Sequence, residues 1–253
     1  MNQFETFLQL HTTEKPLLLG NCWDVSSAKL LEENGFKAIG TSSLAIAQSL
    51  GYEDGENMPF NLLLETVKRI KQNITVPLSV DIERGYSNTI GGVFENIQKL
   101  HDIGIVGINI EDSVKEKTLQ PIAAFAKTIS AIADYCSKKY INLFINARTD
   151  AFLLKLPNAL KETIQRNAAY ESAGASGIFV PFIKDENDIS VVVASTTLPI
   201  NVLPTPGLPG ITTLGQLGIR RISLGSSLYN ALKKEAINKI QLIQQQQSFD
   251  SLF

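Results

Sequence analysis

At 253 residues and 27.7 kDa, 44% hydrophobic and 19% charged, the chain carries enough apolar material for a large core and too little charge to stay disordered. A formal net charge of −2 and a pI near 5.8 provide no basic surface for nucleic acid or an anionic membrane. The two cysteines, Cys22 and Cys136, have neither a metal-type spacing nor the numbers for a disulfide framework.

No apolar run is long enough to span a bilayer, and the start "MNQFETFLQLH" lacks the basic residues and apolar stretch of a signal peptide. The expectation is a cytoplasmic protein with no nucleic-acid or membrane partner.

Along the chain one unit repeats. Short apolar runs suited to buried parallel strands fall at residues 16–20, 37–41, 76–80 and 106–110, then at 143–147, 177–181, 198–202 and 220–224. Amphipathic stretches between them predict helices, among them Val25 to Asn34, Leu62 to Gln72, Val93 to Asp102 and Ala159 to Ala173. Gly35, Gly104, Gly174 and Gly218 stand where a helix should stop before the next strand. Eight strand–helix units without a linker or composition break predict one (β/α)₈ TIM-barrel domain over residues 1–253, in preference to an open doubly wound α/β sheet. The polar "QQQQ" at 244–247 reads as a frayed helix end or tail. Ile237, Ile240, Leu242 and Ile243 before it suggest a helix that packs on something, another subunit included.

Barrels of this kind do chemistry where the strands run out at their C-terminal face. Asn21, Trp23 and Asp24 follow the first predicted strand, Thr41, Ser42 and Ser43 the second, and Asp81 and Glu83 the third. Glu111 and Asp112 follow the fourth, Arg148 and Asp150 the fifth, and Asn201 belongs to the seventh. Asp81, Glu83 and Glu111 brought together would repel one another unless a cation lay between them. Oxygen-only ligation without His or Cys selects a hard ion, Mg²⁺ or Mn²⁺. Arg148 beside it offers a planar fork for a substrate carboxylate. Plainer roles weigh against chemistry at several positions. Asp24, Asp112 and Asp150 suit helix capping or arginine support as well as catalysis, and Ser42 and Ser43 suit capping as well as anion binding. Trp23 fits a packing role or a wall of the pocket equally. His11 and His101 lie away from the strand ends, which disfavours a Ser–His–Asp hydrolase. Cys22 reads as a small buried thiol, and "TPGLPG" and "IGG" lack the setting of a dinucleotide site.

At these residues the sequence resembles the isocitrate lyase/phosphoenolpyruvate mutase superfamily. The matching stretches run in order from "GNCWDVSSAKLLEENGFKAIGTSSLAIAQSLGYEDG" through "VDIERGYSN", "GINIEDS" and "INARTDA" to "LPINVLPTPG" and "LGIRRISLGSSLY". The resemblance implies a (β/α)₈ barrel, a homotetramer whose C-terminal helix is swapped between subunits, and Mg²⁺ held directly or through water by Asp81, Glu83 and Glu111. It also implies substrate contacts from Ser42, Ser43, Asp54, Arg148 and Asn201. The loop "EDSVKEKTLQP" departs from the cysteine-bearing "KKCGH"-like loop of isocitrate and methylisocitrate lyases. It keeps Lys117 and Thr118 of the Lys-Thr-Asn in phosphonopyruvate mutases and hydrolases, but has Leu119 for the asparagine. Glu83 stands where many relatives have Asp, and Phe182 replaces an acid of the lyases, making that side of the pocket less polar. What remains is most similar to the branch that includes oxaloacetate decarboxylases.

The function expected is Mg²⁺-dependent cleavage of a bond at C3 of a small 2-oxo carboxylic acid, through an enolate stabilised by the ion, with Arg148 fixing a carboxylate and Lys117 or water delivering a proton to C3. The alternatives are P–C chemistry on phosphonopyruvate, a barrel that binds a metabolite without turning it over, and a phosphate-binding sugar isomerase, which leaves the acid cluster without a task.

Overall fold

In the computed structural model, residues 2–114 and 118–253 are described. Asn2 opens helix α1 (Gln3–Leu10) with a reciprocal cap: its side chain accepts from the Glu5 N–H, and the Glu5 carboxylate accepts from the Asn2 N–H. The strands then follow as β1 (Leu17–Cys22), β2 (Ile39–Thr41), β3 (Leu78–Asp81) and β4 (Gly107–Glu111), and next β5 (Phe144–Arg148), β6 (Gly177–Phe179), β7 (Ile200–Val202) and β8 (Arg221–Ser223). Each pairs in parallel with the next, and β8 pairs with β1, closing the barrel. Helices α2 (Val25–Glu33), α3 (Ser43–Ser49), α4 (Phe60–Lys71) and α5 (Ile90–Asp102) connect the first four strands. Helices α6 (Ile122–Lys139), α7 (Ala159–Ser172), α8 (Glu186–Ala194) and α9 (Ile211–Gln216) connect the rest, and α10 (Ser227–Gln246) ends the chain with a short 3₁₀ turn at Asp250–Leu252.

All eight expected strands are present, and β1, β3, β4 and β5 run past their expected C-terminal ends. In these strands the ladder continues beyond the apolar run, so that β3, β4 and β5 end on Asp81, Glu111 and Arg148. Helices stop where anticipated, with Gly104 and Gly174 in the left-handed region at φ +86° and +94°. The glutamine run is the end of a helix: α10 extends through Gln246, and the chain folds back behind it, Lys239 Nζ donating to the Ser251 carbonyl at 2.6 Å.

Two apolar layers result from the period-2 alternation of the strands. Ile39, Val80, Ile108, Ile145, Ile178 and Ile222 face outward and join the layer under the helices. A smaller cluster of Phe7, Leu17, Leu19, Ala38, Val106 and Phe144 fills the bottom of the barrel, with α1 as its plug. Space there is tight: a Cβ on Gly177 would come within 2.8 Å of the Phe144 ring, and one on Gly107 within 3.1 Å of Phe7. His11, at the end of α1, stacks on Phe144 with ring centroids 4.4 Å apart and shares a 2.8 Å hydrogen bond with the Phe7 carbonyl.

Strand tilt turns register into height. Leu17 pairs with Arg221, Arg221 with Asn201, Asn201 with Phe179, Phe179 with Arg148, and Arg148 with Glu111. One diagonal row therefore climbs from the plugged bottom to the open rim.

Candidate active site

The rim gathers its polar groups from the last residues of the strands and the first residues beyond them. Ser42 and Ser43 take different tasks. Ser42 caps α3 by accepting from the Ala45 N–H at 3.3 Å, whereas Ser43 Oγ donates to Asp81 Oδ2 at 2.8 Å. The Asp81 N–H is in turn held by Thr41 Oγ1 at 3.0 Å.

Beyond β3 the backbone is forced into unusual conformations. Glu83 and Tyr86 have φ of +49° and +55°, and Glu56 on the facing loop has +61°. Non-glycine residues seldom occupy this region, and here the surrounding bonds hold them in it. The Glu56 carboxylate accepts from the N–H groups of Arg84 (3.0 Å) and Tyr86 (2.7 Å) and pairs with the Arg84 guanidinium at 2.8 Å. Tyr86 Oη, so placed, donates to Glu83 Oε1 at 2.6 Å. This clasp joins the loop of Asp54 to the loop of Glu83.

On the other side of the rim, Arg148 lies between two acids. One terminal nitrogen stands 3.0 Å from Glu111 Oε2, while Nε and the other terminal nitrogen donate to Asp150 at 2.6 and 3.1 Å. Two of its five N–H groups donate to Asp150 and the Glu111 contact is an ion pair, so three N–H groups have no hydrogen-bond acceptor among the described residues. Asp150 is held by Asp112, whose Oδ1 accepts from the Asp150 N–H at 3.1 Å. Asp112 itself accepts from Arg166 at 3.0 Å and Tyr170 Oη at 2.7 Å, and Arg166 also donates to the Gln120 carbonyl at 2.9 Å.

Carboxyl groups are concentrated here, and their crowding and burial favour protonation. Burial, outweighing the Tyr86 hydrogen bond and aided by Asp81, Asp54 and Glu111, pushes the Glu83 carboxyl up to about 8. Burial likewise raises Glu111 to about 7; Arg148 opposes the rise, and Asp150 and Asp81 add to it. Burial and the neighbouring Asp81 raise Asp54 as well. For Arg148 burial acts downward, but Glu111, Asp150 and Asp81 prevail and fix its positive charge. Among the described residues no three His, Cys, Asp or Glu side chains stand close enough to hold a metal ion by themselves.

The structure brings Ser43, Asp54, Asp81, Glu83, Glu111 and Arg148 into one electrostatic cluster. Asn201, 1% exposed, lies on the same diagonal row, and neither of its side-chain polar atoms has a partner among the described residues. Trp23 packs edge-on against Tyr229 at 5.2 Å. Asp24 is the N-cap of α2, accepting from Ser27 N–H at 2.7 Å, and Cys22 is fully buried. Lys117 lies outside the described residues. Phe182, at φ +66°, lines a separate cavity of about 680 Å³ with Phe152, Leu160, Pro206 and the charged Lys155, Lys184 and Asp188, which includes none of the acids at the rim.

Sequence reasoning missed Tyr86, the Glu56–Arg84 clasp, Arg166 with Tyr170, and the polar barrel interior. In that interior Asn146 donates to Asn109 at 2.8 Å and Arg221 to Ser223 at 3.0 Å. The signal for the interior was available: "GINIE", "FINAR" and "RRIS" alternate polar with apolar residues, and the polar set faces inward. Nothing local marked Tyr86 or Glu56.

The family model for phosphoenolpyruvate phosphomutase matches residues 7–244. Among characterised and uncharacterised relatives, the uncharacterized protein Rv1998c of Mycobacterium tuberculosis is 36% identical over 89% of this chain and 84% of its own. An oxaloacetate decarboxylase of Bradyrhizobium is 27% identical over 86% of this chain and 76% of its own. Phosphonopyruvate hydrolase, solved in complex with oxalate and Mg²⁺, shares the fold with a TM-score of 0.85 at 22% identity, over 99% of this chain and 89% of that one. No helix among the described residues is long and apolar enough to cross a membrane. The closed parallel barrel and the family match over almost its whole length agree: the chain belongs to the phosphoenolpyruvate phosphomutase family, within the isocitrate lyase/phosphoenolpyruvate mutase superfamily.

Proposed function

We propose that the chain is a Mg²⁺- or Mn²⁺-dependent lyase that cleaves a C–C bond at C3 of a small 2-oxo carboxylic acid, in the manner of oxaloacetate decarboxylase. The observation that carries this reading is the juxtaposition at the rim of a half-satisfied arginine with an all-oxygen acid cluster. The donor set fits a hard cation that keeps much of its water and takes only one or two carboxylates directly, which suits acids that do not close a cage. Asp81 would hold the ion, with Glu83 and Glu111 reaching it directly or through water. When bound, the ion supplies Lewis acidity toward the 2-oxo oxygen.

The chain's own groups do the rest. Two of the open N–H groups of Arg148 receive a substrate carboxylate in parallel hydrogen bonds, and the Asp150 and Glu111 carboxylates keep the guanidinium plane from rotating. Ser43 orients Asp81, and Asn201 offers a donor and an acceptor that protein groups leave open. Asp54 closes the acidic side, and Trp23 stands at the margin. A proton for C3 comes from water or Lys117.

The test is a turnover screen of oxaloacetate, phosphonopyruvate, 2-methylisocitrate and related acids with Mg²⁺ and Mn²⁺, read by pyruvate formation and by phosphate release. Pyruvate from oxaloacetate or a C3-substituted homologue is expected. Phosphate from phosphonopyruvate would transfer the assignment to P–C chemistry, the second reading, which the family match favours. Binding of oxalate without turnover of any 2-oxo acid would make the barrel a metabolite-binding protein.

The proposal includes a homotetramer with the C-terminal helix exchanged. Helix α10 runs for 20 residues without one buried side chain, and exposes Leu232, Ile237, Ile240 and Leu242. A lone surface helix seldom persists without an apolar face to dock.

A further inference from the structure

Strand β8 carries an arginine unaccompanied by any acid. Arg221 is 1% exposed and forms no ion pair among the described residues. Its Nε donates to Ser223 Oγ at 3.0 Å and one terminal nitrogen to Asn109 Oδ1 at 3.3 Å, while the other terminal nitrogen has no partner among the described residues. The guanidinium lies 5.9 Å above the Phe7 ring of the plug, and its register partner Asn201 is likewise unsatisfied. Burial lowers its pKa to about 9, so it stays cationic at neutral pH, and Asp81 is the acid that sustains the charge.

A buried cation held only by neutral partners is costly, and a methionine of similar length would fill the same space without that cost. The packing of the barrel therefore does not account for Arg221. Its location does, because it stands near the lower end of a row that climbs through Asn201 and Phe179 to Arg148 and Glu111 at the rim. A dianionic substrate must approach a rim lined by Asp54, Asp81, Glu83 and Glu111, and a positive charge beneath them offsets that repulsion through a low-dielectric interior.

We propose that Arg221 is a positioning residue that acts as a positive floor to the site: its field favours an anionic ligand at the rim and restrains the affinity for a divalent cation there. The inference rests on the lyase reading for the identity of the ligands, and goes beyond it in assigning the charge that tunes them.

The experiment is calorimetric titration of the full chain with Mg²⁺ alone and then with oxalate at saturating Mg²⁺, for wild type, Arg221→Met, Arg221→Lys and Ser223→Ala, alongside thermal melting. Arg221→Met should bind Mg²⁺ more tightly and oxalate more weakly, each by roughly a hundredfold, the size of the interaction between a unit charge and a divalent ion over roughly 10 Å at an effective dielectric constant near 20. It should melt no lower than wild type. Arg221→Lys and Ser223→Ala, which keep the charge, should bind both ligands within about threefold of wild type.

A merely structural arginine gives another pattern: Arg221→Met melts lower and binds both ligands as wild type does, which overturns the proposal. If Arg221→Met does not fold, loss of oxalate binding in Arg221→Lys overturns it equally, since the charge is then not the agent. Wild type binding neither Mg²⁺ nor oxalate would instead remove the lyase reading, whereas unchanged affinities in Arg221→Met with an active wild type remove only this inference.

Discussion

Arg148 and Asp81 illustrate how the site divides its work. Arg148 is braced by Asp150 and Glu111, and Asp150 is braced by the buried Asp112–Arg166–Tyr170 group, so the guanidinium plane is set before a ligand arrives. Lysine keeps the charge and loses the fork. Arg148→Lys should therefore raise KM for the 2-oxo acid by about 10–100-fold with a smaller change in kcat, as expected for the loss of a charge-assisted pair; steady-state kinetics on the best substrate of the screen decide it, and an unchanged KM removes the role. Asp81 sits partly open at the end of β3 with Ser43 as its orienting partner. Asp81→Ala should lower kcat/KM by at least about 10²–10³ and abolish dependence on added Mg²⁺, with an unchanged far-UV spectrum. A fully active, metal-independent variant would refute the site. At this scale the sequence exposes residue type well, because an acid or an arginine at a strand end has few structural uses. It does not expose partners. Asp24, Asp112 and Asp150 were equivalent in the sequence, and only the structure separates a helix cap from an arginine support.

Elements explain why those residues converge. Strands β3, β4 and β5 continue past their apolar runs because the ladder bonds do not depend on side-chain polarity, so the final residue of each points a polar group at the rim. The loop beyond β3 has no such regularity. It is shaped by Glu56 across 28 and 30 residues of sequence, a separation no local pattern encodes. Helix α1 has a plainer role, the plug of the barrel, and carries its own test. Burial, helped by the Arg221 charge, holds His11 down to about 3 from an ordinary 6.5. The unfolded chain accepts a proton near pH 6.5 that the native chain refuses until about pH 3. The His11 contribution to stability is therefore complete above pH 6.5 and falls continuously toward pH 3, by at most about 5 kcal/mol. His11→Phe, which retains the stack on Phe144, should lose less stability than wild type between pH 7 and pH 4; urea midpoints at the two pH values measure it. Parallel acid limbs for the two proteins would show that His11 is not buried neutral.

At the scale of the whole molecule, the exposed α10 and the 3₁₀ turn behind it present apolar side chains that the barrel does not cover, Phe249 and Phe253 among them. Light scattering should give a tetramer for the full chain, and Ile237→Glu with Ile240→Glu should reduce it to smaller species with the barrel still folded; a monomeric wild type would remove the exchanged helix. Much of the architecture was legible beforehand. Eight apolar runs alternating with amphipathic stretches determine a parallel α/β fold, because parallel strands buried on both faces need a helix between each pair. Eight such units without a linker favour a barrel over an open sheet, and the β8–β1 pairing closes it. The same runs place acids and an arginine at one end of the strands, since polar side chains cannot continue into the helix-covered layer. Only the tertiary structure decided which acids are braced, that Tyr86 holds Glu83, and that Arg221 lies uncompensated in the barrel. The reason is physical: residue type and period are local properties, whereas a charge's partners and dielectric surroundings come from strands tens of residues apart, set side by side by register and tilt.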